Sequence, residues 1–167
     1  MIMNALNAVK ALLQDKKISA VCRSVQLVPE RSNDDLLKQL SQDTPAVWLS
    51  FLKAEISPEF TAKLVFEVMV VTRDNSLEST GGMIGLFDLT DAVIAVLNRG
   101  SKDGFSFLVS GATALRGESF AQNGLAVNSV IVTTVSKHDS AVNLDKLEGF
   151  AVKLEDPITP NPEVENA

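Results

Sequence analysis

Tyrosine is missing from this chain of 167 residues, and tryptophan, histidine and cysteine occur once each. Each shortage removes a class of function. A lone cysteine, Cys22, leaves no internal disulfide. One His and one Cys cannot build a Cys/His zinc site. Without Tyr and with a single Trp, the chain lacks the aromatic platform on which nucleic-acid bases stack. Positive charge is also short: 15 Lys plus Arg stand against 21 Asp plus Glu, for a formal net charge of −6. That balance argues against a module that reads a DNA groove, which carries a basic patch. No apolar run approaches the ~18 residues of a membrane span. Met1–Lys17 has no cationic start before an apolar block, so it does not read as a secretory signal.

What is present is a folding composition, 46% hydrophobic and 22% charged, in a length that fits one domain. A single α+β domain is expected over residues 1–155, followed by an acidic, proline-containing tail over 156–167. No internal repeat or interdomain linker is visible.

Hydrophobic spacing gives the elements. Leu6, Val9 and Leu13 recur at helical intervals and predict a helix over Asn4–Gln14. Ile18–Val28 alternates and reads as a strand closed by Pro29. Ser32–Asp35 opens a short helix with Leu36, Leu37 and Leu40 as its stripe, the aspartates suiting its positive end. Ala46–Ile56 is strand-like. Ala62–Thr72 is the clearest strand, with Leu64, Phe66, Val68 and Val70 on one face and Lys63, Val65, Glu67, Met69 and Val71 on the other. Met83, Leu86, Thr90, Val93 and Leu97 step by three and four, with Phe87 and Ile94 widening the stripe and Asp88 and Asp91 opposite. Strand follows from Phe105 to Val109 and again from Ala112 to Phe120, with Gly117 expected at a bulge or bend. Asn123-Gly124 signals a hairpin, and Leu125–Ser136 a long strand. Leu144–Leu154 is expected to add a short edge segment. Short connections between successive strands make the sheet largely antiparallel. The expected plan is therefore α+β in two layers, with helices packed on one face of that sheet.

The candidate chemistry is thin. Gly81-Gly82-Met83-Ile84-Gly85 lies between strand and helix, where a phosphate could sit. Thr80 replaces the first glycine of the dinucleotide pattern, so the stretch reads instead as a turn into the helix. Gly111–Gly117 has five intervening residues where a phosphate loop has four, and Glu118 stands where that loop has Lys. Asp88 and Asp91 could share a cation or form a solvated helix face. Ser136, His138 and Asp139 are too close in sequence for a catalytic triad. Cys22, with Arg23 beside it to lower its pKa, is the sole candidate thiol nucleophile, against the reading of a small core residue. No catalytic, cofactor or metal residue is expected, and the chain is not expected to be an enzyme. Six charged residues are expected at an interface: Glu67 and Arg73 from the mixed face of the Ala62–Thr72 strand, Asp88 and Asp91, and Arg116 and Glu118. This is the profile of a subunit that acts by assembling.

Three blocks then carry a family resemblance. They are Pro45-Ala46-Val47-Trp48-Leu49; Val68-Met69-Val70-Val71-Thr72-Arg73, followed by Gly85-Leu86-Phe87-Asp88-Leu89-Thr90-Asp91-Ala92-Val93 and a helix ending at Leu97-Asn98-Arg99-Gly100; and Gly124-Leu125-Ala126-Val127 leading into Val130-Ile131-Val132-Thr133-Thr134. The stretch from Pro45 to Val135 resembles the Mu-type phage tail terminator family, small minor tail proteins of long-tailed phages and prophages. The resemblance implies a homo-oligomeric ring, commonly a hexamer, at the head-proximal end of the tail tube. Such a ring stops tube growth, meets tube protein, sheath and the head–tail connector, and touches DNA only as it passes through the lumen. It implies no cofactor and no membrane, and a place in the virion tail after assembly in the host bacterial cytoplasm. Two other readings remain open at this point. One is a head–tail connector subunit. The other is a small-ligand-binding α+β domain using Arg73, Asp88, Arg116, Glu118 and His138.

Overall fold

A computed structural model describes residues 1–28, 34–57 and 61–137. Along the chain these form α1 (Ile2–Leu13), α2 (Lys16–Ser19), β1 (Ser24–Leu27), α3 (Asp34–Asp43), β2 (Ala46–Ile56) and β3 (Thr61–Arg73). They continue with α4 (Leu86–Leu97), β4 (Ser101–Lys102), β5 (Phe105–Leu115), α5 (Glu118–Gln122) and β6 (Leu125–Lys137). Leu144–Leu154, the tail from Asp156 and His138 lie outside the described residues.

The fold is α+β. Among the described residues the strands form one sheet in the order β1-β2-β3-β6-β5-β4. Every pairing is antiparallel except β1 with β2, which α3 joins as a parallel pair. The long helices α1 and α4 lie on one face. Ala5, Leu6, Ala8, Val9 and Leu13 of α1, and Leu86, Leu89, Val93 and Leu97 of α4, are buried there at helical spacing. They meet Val47 and Leu49 of β2, Leu64, Phe66, Val68 and Val70 of β3, Phe107 of β5, and Val130 and Val132 of β6.

The second face is too apolar at one end to be left in water. Ala46 and Trp48 of β2, Met69 and Val71 of β3, and Leu125 and Val127 of β6 form a smaller core there with Val28 and with Leu37 of α3, joined by Leu115 and Phe120. The helices expected on one face are thus supplemented by α3 and α5 at one end of the other.

Four local readings change. Strand Ile18–Val28 shrinks to β1, because Asp15 accepts a hydrogen bond from the Lys17 backbone N–H at 3.0 Å and caps a helical turn. Helix α4 starts at Leu86, three residues later than the periodicity predicts. Gly81 and Gly82, at φ +58 and +83, turn the chain so that Thr80 and Met83 exchange backbone hydrogen bonds, the backbone of a tight primed turn. The strand expected from Ala112 to Phe120 ends at Leu115, and Glu118–Gln122 forms α5, its acidic first residue suiting a helix N-terminus. Asn123-Gly124 is the exit from that helix, with Gly124 at φ +64, so β5 and β6 are joined through α5.

Alternation along two strands is broken by bulges. In β2 the pairing skips Leu52, between Phe51↔Phe66 and Lys53↔Val65. In β5 it skips Ser110, between Val109↔Val132 and Gly111↔Ile131. Each bulge shifts the residues beyond it by one position relative to simple period-two counting.

Candidate assembly surface

The six charged residues expected at an interface separate into different environments. Glu67 sits mid-strand on β3 between Ser50 of β2 and Ile131 of β6, and it is 0% exposed. Its Oε1 accepts a short hydrogen bond from Ser129 Oγ. A hydrogen-bonded carboxylate in that position is part of the protomer's interior and offers no surface in this conformation.

Asp88 has local work. Ser79 Oγ donates to the Asp88 carboxylate and accepts from the Gly85 backbone N–H at 2.9 Å. The loop is thereby clasped to the first turn of α4, where an acid also suits the helix dipole. Gly85 permits this close approach: a Cβ built on it would lie 2.3 Å from the Glu78 carbonyl carbon. Asp91 is exposed on the outer face of α4.

Arg73, Arg116 and Glu118 are exposed. Arg73 closes β3 opposite Leu125, and Leu115, just before Arg116, pairs with Val127. The register therefore brings Arg73, Arg116 and Glu118 to the same end of the sheet as the start of α4. Arg116 and Glu118 are not strand neighbours, since Gly117 and the start of α5 stand between them and the end of β5.

Two features at this end went unread in the sequence. Phe87, expected to widen the buried stripe of α4, is 54% exposed. With Leu77, Leu115, Phe120, Ala121 and Leu125 it lines an apolar groove of ≈ 350 Å³. A separate cleft of ≈ 400 Å³ is lined by Arg23, Thr72, Arg73, Asn75, Gly82 and Met83 among others. Arg23 and Arg73 provide positive charge there.

The second feature is the outer edge of β5. Near its start this edge is occupied. β4 pairs with Phe105 and Ser106, Phe107 N–H donates to the Gly100 carbonyl at 2.8 Å, and Arg99 N–H donates to the Phe107 carbonyl at 2.9 Å. Val109 N–H reaches Asn98 Oδ1 at 3.5 Å. From Ser110 to Leu115 no described strand lies beyond β5. Ser110, Gly111, Ala112, Thr113 and Ala114 are all exposed, and the whole of β5, FSFLVSGATAL, contains neither charge nor proline. Natural edges left in solvent usually carry such blocking residues. The absence of charge from Phe105 to Leu115 was a readable signal, but only the sheet order shows that this strand is an edge.

Cys22 is half-buried, and burial raises its thiol pKa to about 11. This agrees with the reading of a small packed residue over a thiol activated by Arg23: desolvation disfavours the thiolate, and the Arg23 guanidinium reaches the Gln42 carbonyl at 3.4 Å. Among the described residues no three His, Cys, Asp or Glu side chains gather as a metal site, and no helix is long and apolar enough to cross a membrane.

No family model matches the sequence, and no curated protein matches it. Among solved structures, the fold is similar to that of a chain from the virion of a native gene transfer agent (GTA) particle. The two share 14% identity at a TM-score of 0.48, over 78% of this chain and 92% of that one.

Proposed function

We propose that this chain is a structural subunit of a phage-type tail, a tail terminator that works by closing into a homo-oligomeric ring. The observation that carries the reading is the unblocked β5 edge, Ser110–Leu115, on a protomer with one core under α1 and α4 and a smaller core at one end of the other face. An uncharged, exposed strand edge is a ready template for another chain. An edge at one side of the sheet joined to a different surface of the next copy is a head-to-tail contact, which closes into a ring when the rotation is right. The sequence resemblance from Pro45 to Val135 supports the terminator assignment in particular. On this reading the ring meets tail tube, sheath and head–tail connector proteins and lets DNA pass. The chain acts without a catalytic centre, as part of the virion tail assembled in the host cytoplasm.

Negative-stain imaging of the purified chain, alone and mixed with tail tube protein, tests the proposal. Annular particles, or annuli seated on tube ends, are expected. Solitary protomers in both samples would overturn it.

The Arg23–Arg73 cleft favours a second reading, a binding domain for a small anionic ligand. A thermal shift of several degrees with nucleotides or phosphorylated metabolites, lost in Arg73→Ala, would support that reading.

A further inference from the structure

The free stretch of β5 raises the question of what covers it, and we infer that the occupant is the segment Leu144–Leu154 of a neighbouring copy, added as an extra strand along Ser110–Leu115. The inference rests on the ring reading above and names the element that would join its subunits.

Three observations converge. The first is the edge itself. It is six residues long, uncharged, exposed from Ser110 to Ala114, and partnerless on its outer side among the described residues. The bulge at Ser110, a device that protects some edges, stands at the head of this stretch and leaves Gly111–Leu115 regularly paired to β6 on the inner side. Small side chains at Gly111, Ala112, Thr113 and Ala114 leave room on both faces for an added strand.

The second is a supply of strand. Residues 138–167 follow β6, and within them Leu144–Leu154 carries the alternation Phe150, Val152, Leu154 against Ala151 and Lys153. Its length suffices for the six open positions. Backbone hydrogen bonding would supply the affinity, and the alternate side chains the register.

The third is where the supply begins. Lys137 pairs with Thr61, six residues along β6 from Ile131, which is the partner of Gly111. That separation is roughly 20 Å along the sheet. Between the exit and the open stretch, the protomer's own edge is filled by β4 and the Asn98–Gly100 turn. Ser110–Ala114 are exposed within the protomer. An added strand on this stretch is therefore assigned to a neighbouring copy. The contact is heterologous, one copy's extension on the next copy's edge, and suits ring closure.

Cysteine pairing in the full-length chain tests this. In a Cys22→Ser background, Thr113→Cys is combined in turn with Phe150→Cys, Ala151→Cys and Val152→Cys, and each variant is oxidised and run without reductant. At least one pair is expected to give a ladder of disulfide-linked chains that collapses on reduction, while each single-cysteine control stops at the dimer or below. A fast-migrating monomer linked within one chain would overturn the inference, because the segment would then cover its own edge. No cross-link from any of the three pairs, with scattering still showing the wild-type assembly, would also overturn it and leave the ring reading standing. A wild-type chain that is monomeric alone and with tube protein would instead overturn the ring reading itself, and this inference with it.

Discussion

Gly85 is a single residue on which the placement of a whole loop depends. The space where its side chain would stand is taken by the Glu78 and Ser79 backbone, within 2.7 Å. Gly85→Ala must therefore push the loop outward and strain the Ser79 clasp. A loss of about 1–3 kcal/mol is expected, the usual cost of forcing atoms into a packed site. Trp48, the lone tryptophan, is buried in the smaller core, so its fluorescence in a urea titration reports the change directly. Ser79→Ala removes one hydrogen-bonding bridge and should cost less, about 1 kcal/mol. Cys22 supplies a second prediction. Its thiol, raised from 9.0 to about 11 by burial, holds its proton more firmly folded than unfolded. The resulting stability is fully present below pH 9 and declines as pH rises toward 11. Reaction with a thiol reagent at pH 8 should accordingly be slow in buffer and fast in denaturant. These side-chain facts were hidden from the sequence. Cys22 and Arg23 are neighbours in the chain, yet the guanidinium reaches Gln42, and no spacing rule says that Glu67 lies buried under a hydrogen bond from Ser129.

Elements were legible where hydrophobic periodicity is long and unbroken. Strand β3, 13 residues long, and α4, 12 residues long, follow from the alternation Leu64, Phe66, Val68, Val70 and from the helical spacing of Leu86, Thr90, Val93 and Leu97. Short capped turns were not. Asp15 and Gly117 each start a helix of a single turn or little more, too brief for periodicity to distinguish from strand. Bulges at Leu52 and Ser110 carry no sequence signal of this kind, and a shift of one residue exchanges inside for outside beyond them. The Gly81-Gly82 turn illustrates an element-scale dependence on glycine: both residues have positive φ and open space around the missing Cβ. Replacing both with Ala should cost about 1 kcal/mol per position from backbone strain alone, measured by denaturation and accompanied by faster proteolysis at the loop. In the core, Phe66 is fully buried and tilted against Phe51, ring centroids 6.0 Å apart. Phe66→Ala should remove about 3–5 kcal/mol.

At the scale of the molecule, two exposed features belong to the surface proposed for assembly. One is the β5 edge. The other is the apolar groove under Phe87, Leu77 and Phe120 at the end of the sheet where Arg73, Arg116 and Glu118 also lie. The sequence carries the expectation of an assembling subunit with Arg73, Arg116 and Glu118 at an interface, and these three are exposed. It could not reveal the edge, because sheet order depends on long-range pairing: β6 inserts between β3 and β5 although α4 and β5 precede it in the chain. Analytical ultracentrifugation of the full-length chain beside Ala112→Lys/Thr113→Lys, which sets one charge on each face of the open edge, tests the central claim most directly. A single discrete oligomer is expected for the wild type and a monomer of unchanged circular dichroism for the variant. A wild type that stays monomeric both alone and with tail tube protein, or a variant that sediments as the same oligomer, would contradict that claim.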